Sequence, residues 1–242
     1  MEKKYDKTIV SVKDMLLQFI RQNKRMFFNE RDLQMYLALK LEKSGDFDEV
    51  FMEYHLPKGF NEVFDLGYKA WQTETPSIDI VLKIKGEEKY IAIELKNKLK
   101  AISGECTRFG QTSQKKELVK NQSAQNIGRY QFWKDVKRLE LLKESYKNVI
   151  GGIALFLTND ANYLKTTKGA DYEDFGMSEN LKKDGVLEWG EFKKVDTKTL
   201  VNNKKRKKSP PIKLSNSYSP RWENNIFTIQ DTVHFHCCTV IV

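Results

Sequence analysis

Cysteine is scarce in this 242-residue chain: Cys106, Cys237 and Cys238 make an odd count with no C-x-x-C pair. That excludes a disulfide framework or a thiolate zinc finger as the basis of the fold and suits a reducing cytoplasm. No run of about 18 apolar residues occurs, so no transmembrane helix is expected. The N-terminus lacks the basic-then-apolar layout of a secretory signal. There are no internal repeats. Acidic residues are in deficit, 33 against 42 Lys and Arg, for a net charge of +9. Such an excess suits a polyanionic partner, and equally a Lys-rich surface, because sequence does not show whether charge is focused. With 40% apolar residues the chain can bury a full core. It reads most simply as one domain over residues 1–242 with additions.

The most informative stretch is Ser77-Ile78-Asp79-Ile80-Val81-Leu82, then Gly86-Glu87-Glu88-Lys89, then Tyr90-Ile91-Ala92-Ile93-Glu94-Leu95-Lys96. Two apolar runs around a Gly-containing polar turn predict a β-hairpin. Period-two alternation puts Ile91, Ile93 and Leu95 on one face and Ala92, Glu94 and Lys96 on the other. Asp79, within the partner strand, can reach the same spot. Two carboxylates and an ammonium are costly to bury unless compensated, and a divalent cation would compensate them. The same triplet also suits an ordinary solvated strand.

The pattern resembles the PD-(D/E)XK nuclease superfamily, which includes restriction-type endonucleases: Asp79 matches its first acid, Glu94 the second and Lys96 its lysine. The nominal proline is replaced by Ile78, with a proline only at Pro76. The resemblance covers about residues 26–165. It implies an α/β fold with a restriction-endonuclease-like αβββαβ core. That core has a mixed central sheet flanked by helices, with an N-terminal helix and C-terminal β additions. It also implies a DNA endonuclease acting through Asp79, Glu94 and Lys96. The metal would be Mg2+ or Mn2+, held by Asp79, Glu94 and the Leu95 carbonyl, and the products would carry a 5′-phosphate. RNA in place of DNA, and a homodimer, stay open. Two other readings stand beside it: a catalytically silent nucleic-acid-binding module of the same fold, and an unrelated α/β protein whose acids are surface pairs.

Other segments fit around this hairpin. Ile9, Val12, Leu16, Phe19 and Ile20 predict an opening helix. Asn29 is a good N-cap for a second helix, with Phe28 and Leu33 at the staple positions. Glu30 lies at the N-terminal end of the apolar stripe of Leu33, Leu37 and Leu41. It resembles the superfamily's helix-borne acid, and equally suits a dipole-stabilising Glu in a first turn. Val50 to Tyr54 predicts a first strand ending near Pro57-Lys58-Gly59. Glu53 on it suits a strand-end salt bridge better than an accessory acid.

Residues 129–140 predict an amphipathic helix. There Tyr130 and Trp133 belong to the core, Asp135 and Arg138 pair on an outer face, and Gln131 or Lys134 could approach a phosphate. Val149 to Leu157 predicts a strand buried on both faces, ended by Thr158-Asn159-Asp160.

Between them, Asn97 to Ala124 is polar and reads as a long loop over substrate, with Lys98, Lys100, Arg108, Lys115 and Lys116 as phosphate contacts. The extension, about residues 166–242, holds a turn and strand near Gly185 to Gly190 and a basic linker at 202–211 with the run Lys204 to Lys208. That run suits a solvated loop, a nuclear address or a nucleic-acid arm. From Ile226 to Val242 the chain reads as strands added to the core. His234, His236 and Cys238 fall on one strand face and are metal-binding types, yet one strand cannot close a tetrahedral shell.

Overall fold

A computed structural model describes residues 2–56, 77–122, 124–190 and 209–242. Pro57-Lys58-Gly59, Asn61 to Thr75, Pro76 and the Lys204 to Lys208 run lie outside the described residues. The architecture is α/β, with a mixed six-stranded sheet and, among the described residues, three α-helices. None of these helices is long and apolar enough to cross a membrane.

Helix α1 spans Glu2–Asn23 and α2 spans Glu30–Ser44. They are followed by β1 (Phe47–His55), β2 (Ser77–Ile84) and β3 (Tyr90–Lys98). A separate hairpin, β4 (Ile102–Arg108) and β5 (Gln111–Val119), leads to α3 (Gln125–Ser145) and β6 (Val149–Thr158). Two short 3-10 turns precede β7 (Lys183–Leu187), which pairs with β8 (Ile212–Tyr218). Strands β9 (Arg221–Ile229) and β10 (Val233–Ile241) close the chain.

The main sheet has the order β1-β2-β3-β6-β10-β9. Every junction is antiparallel except β3–β6, which is parallel and is crossed by α3. The sheet carries a core on each face. Ile80, Leu82, Ile91, Ile93 and Leu95 pack with the apolar stripes of α1 and α2. Val81, Ala92 and Phe156 pack beneath α3 with Trp133 and Val136. The alternation expected of β3 therefore holds, but both of its faces are covered.

Gly152 on β6 lets α3 approach. A Cβ there would lie 2.9 Å from the Leu139 side chain and 3.2 Å from the Ala92 carbonyl oxygen.

Three expectations are corrected. The polar stretch after β3 is a two-stranded hairpin that pairs with no other strand among the described residues, rather than a long loop. Helix α3 has no solvated outer face at Asp135 and Arg138, whose side chains are only 4% and 15% exposed. The reason is that both residues turn toward β3, where Arg138 pairs with Glu94 and Asp135 with Lys96. Strands β7, β8 and their connections cover another side of α3, where Tyr130 packs on Phe175 and Trp189 and the Trp133 indole donates to the Gly176 carbonyl. Finally, Leu33 is fully buried, but Phe28, its expected staple partner, stays exposed.

Candidate active site

The hairpin brings Asp79 and Glu94 side by side because β2 parts from β3 at this point. The ladder runs to Ile80 opposite Ile93. One residue further, Asp79 Oδ2 replaces a backbone acceptor and takes the Leu95 N–H at 2.6 Å. The Asp79 carbonyl is held in turn by Gln34 Nε2 of α2, also at 2.6 Å. Gln34 was not singled out in the sequence. Its signal is a polar residue beside Leu33 on the buried side of α2, where it is 5% exposed.

Glu94 and Lys96 point toward α3, as the alternation requires. Arg138 Nη1 lies 3.1 Å from Glu94 Oε1 and 3.7 Å from Asp135 Oδ1. The other Arg138 terminal nitrogen donates to the Ser77 carbonyl at the start of β2. Lys96 Nζ sits 2.9 Å from Asp135 Oδ2 and 3.4 Å from Glu30 Oε1, and donates to the Leu95 carbonyl at 2.9 Å.

Glu30 is placed by its cap. Asn29 accepts the Asp32 N–H at 2.9 Å, so α2 begins at Glu30 and aims that side chain at β3. There Glu30 Oε2 also accepts the Asn97 N–H at 3.4 Å.

Four carboxylates (Glu30, Asp79, Glu94, Asp135) thus share one cluster with two cations, Lys96 and Arg138. The formal excess is two negative charges, the charge a divalent ion would cancel. The electrostatics reflect the imbalance. Burial raises the Asp79 carboxyl from 3.8 to about 6, against the pull of Lys96 and the Leu95 N–H. Burial also pushes Glu94 well up, although Arg138 opposes it. Lys96 is pushed upward: burial works against its charge, but Asp135, Glu30, Asp79 and Glu94 outweigh burial.

The buried oxygens Glu94 Oε1 and Asp135 Oδ2 make ion pairs but no hydrogen bond of regular geometry. An oxygen of that kind on Glu94, next to Asp79, suits a hard divalent cation, for which carboxylate oxygens are the preferred ligands. Among the described residues no three His, Cys, Asp or Glu side chains converge as a ready-made cage. The Leu95 carbonyl, the expected third ligand, is engaged by Lys96.

The remaining sequence candidates fall into three groups. Gln131 and Lys134 are half-buried on the face of α3 that carries Asp135 and Arg138. Lys98 is half-buried at the end of β3; burial lowers its pKa, with Glu30 opposing. Lys100 is exposed at the root of the β4–β5 hairpin. Arg108, Lys115 and Lys116 lie on that hairpin, and their side chains are outside the described set.

Glu53 is not part of the cluster and accepts from the Ser77 hydroxyl at 3.0 Å. His236 Nδ1 accepts the Asn225 N–H at 3.3 Å and His234 Nδ1 lies 3.0 Å from the Thr228 hydroxyl, so both are taken up within β9 and β10. The residues that sequence reasoning undervalued are Asp135 and Arg138. Their signal is their spacing with Gln131 and Lys134, a polar stripe on a helix otherwise buried.

Comparison with protein-family models, with curated proteins and with solved structures yields no match.

Proposed function

We propose that this protein is a divalent-metal-dependent DNA endonuclease with the restriction-endonuclease-like arrangement, Asp79, Glu94 and Lys96 being its PD-(D/E)XK residues. One observation carries the reading: Asp79 and Glu94, on adjacent strands, meet Lys96 in a single buried ionic cluster whose formal charge is two negative. A surface triplet would be solvated and would need no partners from two helices. The element order α2-β1-β2-β3-α3-β6 also supports it.

Asp79, Glu94 and the Leu95 carbonyl would hold Mg2+ or Mn2+. Such an ion supplies charge neutralisation at a phosphate and a more acidic water. Lys96 keeps its proton, because four carboxylates stabilise it, and so offers a cation to the scissile phosphate and orients the attacking water. Asp135 and Glu30 fix the Lys96 ammonium from opposite helices. Glu30, the most exposed acid of the set, orients solvent entering the site.

The test is cleavage of plasmid, linear and branched DNA, and of RNA, with Mg2+, Mn2+ or chelator. Metal-dependent cleavage lost in Asp79→Asn and Glu94→Gln is the expected result. Cleavage that survives both substitutions would refute the assignment. A second reading, a silent nucleic-acid-binding module, draws on the ion pair Arg138 makes with Glu94. Binding without turnover under every metal condition would select it.

A further inference from the structure

The β4–β5 hairpin adds little to either core beyond its root. Leu99, Ile102 and Val119 are buried in the α1–α2 side of the core. Gln122 donates its N–H to the Leu99 carbonyl at 2.9 Å and accepts the Leu99 N–H at 3.3 Å. Lys100 donates its N–H to Asn159 Oδ1 at 2.8 Å. At Gly104 the hairpin presses so closely on the Gln230 side chain, in the β9–β10 turn, that no Cβ would fit without displacing it. Outward from there, Glu105, Thr107, Phe109, Gly110, Gln111 and Thr112 are all exposed. An isolated two-stranded hairpin is marginal in water, so these anchors hold up an arm whose described outer residues are exposed.

The tip is built for display. Arg108 faces Gln111 in the ladder, and both residues between them have positive φ, Phe109 at 51° and Gly110 at 77°. This is the geometry of a tight I′ hairpin turn, in which Asn, Asp or Gly are the residues normally preferred. Phe109 instead adopts the left-handed conformation and is fully exposed. The Thr107 and Thr112 hydroxyls, 2.8 Å apart, tie the strands just below it. A phenylalanine in an unfavoured backbone conformation, with its ring wholly in water, contributes nothing to folding.

The partner follows from charge and from the root. Residues 99–122 carry five basic and two acidic side chains. The arm begins directly after β3, which carries Glu94 and Lys96.

We propose that the β4–β5 arm is a DNA-probing element that inserts Phe109 into the base stack of the bound duplex. The inference rests on the nuclease reading and deepens it. Apolar side chains are the groups that wedge between base steps, and insertion is least costly where stacking is already broken. The enzyme should therefore favour duplexes with a bulge or mismatch over continuous ones.

The experiment uses the full chain and fluorescein-labelled duplexes, continuous or with one bulged base, in calcium at fixed salt. Anisotropy gives affinity, and 2-aminopurine beside the bulge reports unstacking. Wild type should prefer the bulged duplex about tenfold, equivalent to about 1.4 kcal/mol, and brighten the 2-aminopurine. Phe109→Ala should lose the preference and the brightening while binding the continuous duplex as wild type does; Phe109→Trp should retain both. An unchanged preference in Phe109→Ala, in a protein that binds DNA, overturns this inference alone. Absence of binding to any DNA overturns it together with the nuclease reading. Phe109-dependent binding to phosphatidylglycerol vesicles without discrimination between the duplexes overturns it in favour of a membrane surface.

Discussion

Replacing Asp79 by Asn should stabilise the metal-free protein at neutral pH while destroying its metal response. Burial raises the Asp79 carboxyl from 3.8 to about 6, so the native state holds its proton more tightly than the unfolded chain does. Where the native state binds more protons, stability falls as pH rises. The cost of this carboxylate is therefore absent below about pH 4, grows through the window up to about 6, and is full above it. A shift of about 2 units at ~1.36 kcal/mol each amounts to about 3 kcal/mol. Asn keeps an oxygen for the Leu95 N–H and carries no charge. The stability difference between Asp79→Asn and wild type should therefore move by about 3 kcal/mol in favour of Asn between about pH 4 and 7. For a chain of this size that is roughly 6–12 °C in Tm. Urea titrations in chelator across that range measure it, and taking the difference removes groups remote from Asp79 that titrate alike in both proteins. Adding Mn2+ should then stabilise wild type but not the variant, since only a ligand bound to the native state raises stability. A difference that stays flat with pH, or an Asn variant less stable than wild type at pH 7, would refute the reasoning.

Lys96→Ala should lower DNA turnover by roughly 3–5 kcal/mol in activation free energy, by analogy with losing one preorganised donor, while DNA affinity changes little; unchanged turnover would make Lys96 an ordinary lysine. Arg138→Ala leaves Glu94 and Asp135 buried with less compensation and should cost about 3–5 kcal/mol of stability in chelator, measured by urea unfolding; a loss below 1 kcal/mol would show the cluster to be well solvated. Glu140 accepts the Ser215 and Asn216 N–H groups, the Tyr218 hydroxyl and the Lys137 ammonium, so Glu140→Ala should cost about 3–5 kcal/mol as well and expose backbone amides of β8 to hydrogen exchange; protection equal to wild type would remove it as the tie between α3 and the extension. Neutralising three lysines of the arm should flatten the slope of log affinity against log salt by about 0.9 per lost phosphate contact; an unaltered slope would take the arm off the phosphate backbone.

The hairpin and its acids were legible because two strands with opposite faces of different polarity leave one register consistent with the sequence. Ile91, Ile93 and Leu95 could only face a core, and Glu94 and Lys96 follow. Glu30 was legible through its cap and stripe. Asp135 and Arg138 were not, because helical periodicity identifies an apolar face without saying that the polar stripe beside it meets charged side chains of a strand. The cover over Tyr130 and Glu140 of α3 was hidden as well, because it comes from a C-terminal extension whose sequence signal is weak, with Trp189 and Tyr218 far from α3 in the chain and close in space. The arm was missed for a different reason. Strand recognition rests on a buried alternating face, and a hairpin exposed over its outer half has none. Its trace was Phe109-Gly110, a turn pair among Thr, Ser, Gln and Lys.

The single parallel joint of the sheet gives the site a history in time. Strands β2 and β3 are neighbours in sequence and can pair early, bringing Asp79, Glu94 and Lys96 together while water still surrounds them. Strand β6 cannot join β3 until the chain between has been laid across, because a parallel pair needs a long connection. Only that crossing delivers Asp135 and Arg138, so the carboxylates lose their water and meet their counter-ions in the same event. Non-local closure of this kind is slow relative to hairpin formation. The ionic cluster is thus expected to be among the last parts of the molecule to mature, and a divalent ion arriving before closure would meet only the two acids of the hairpin.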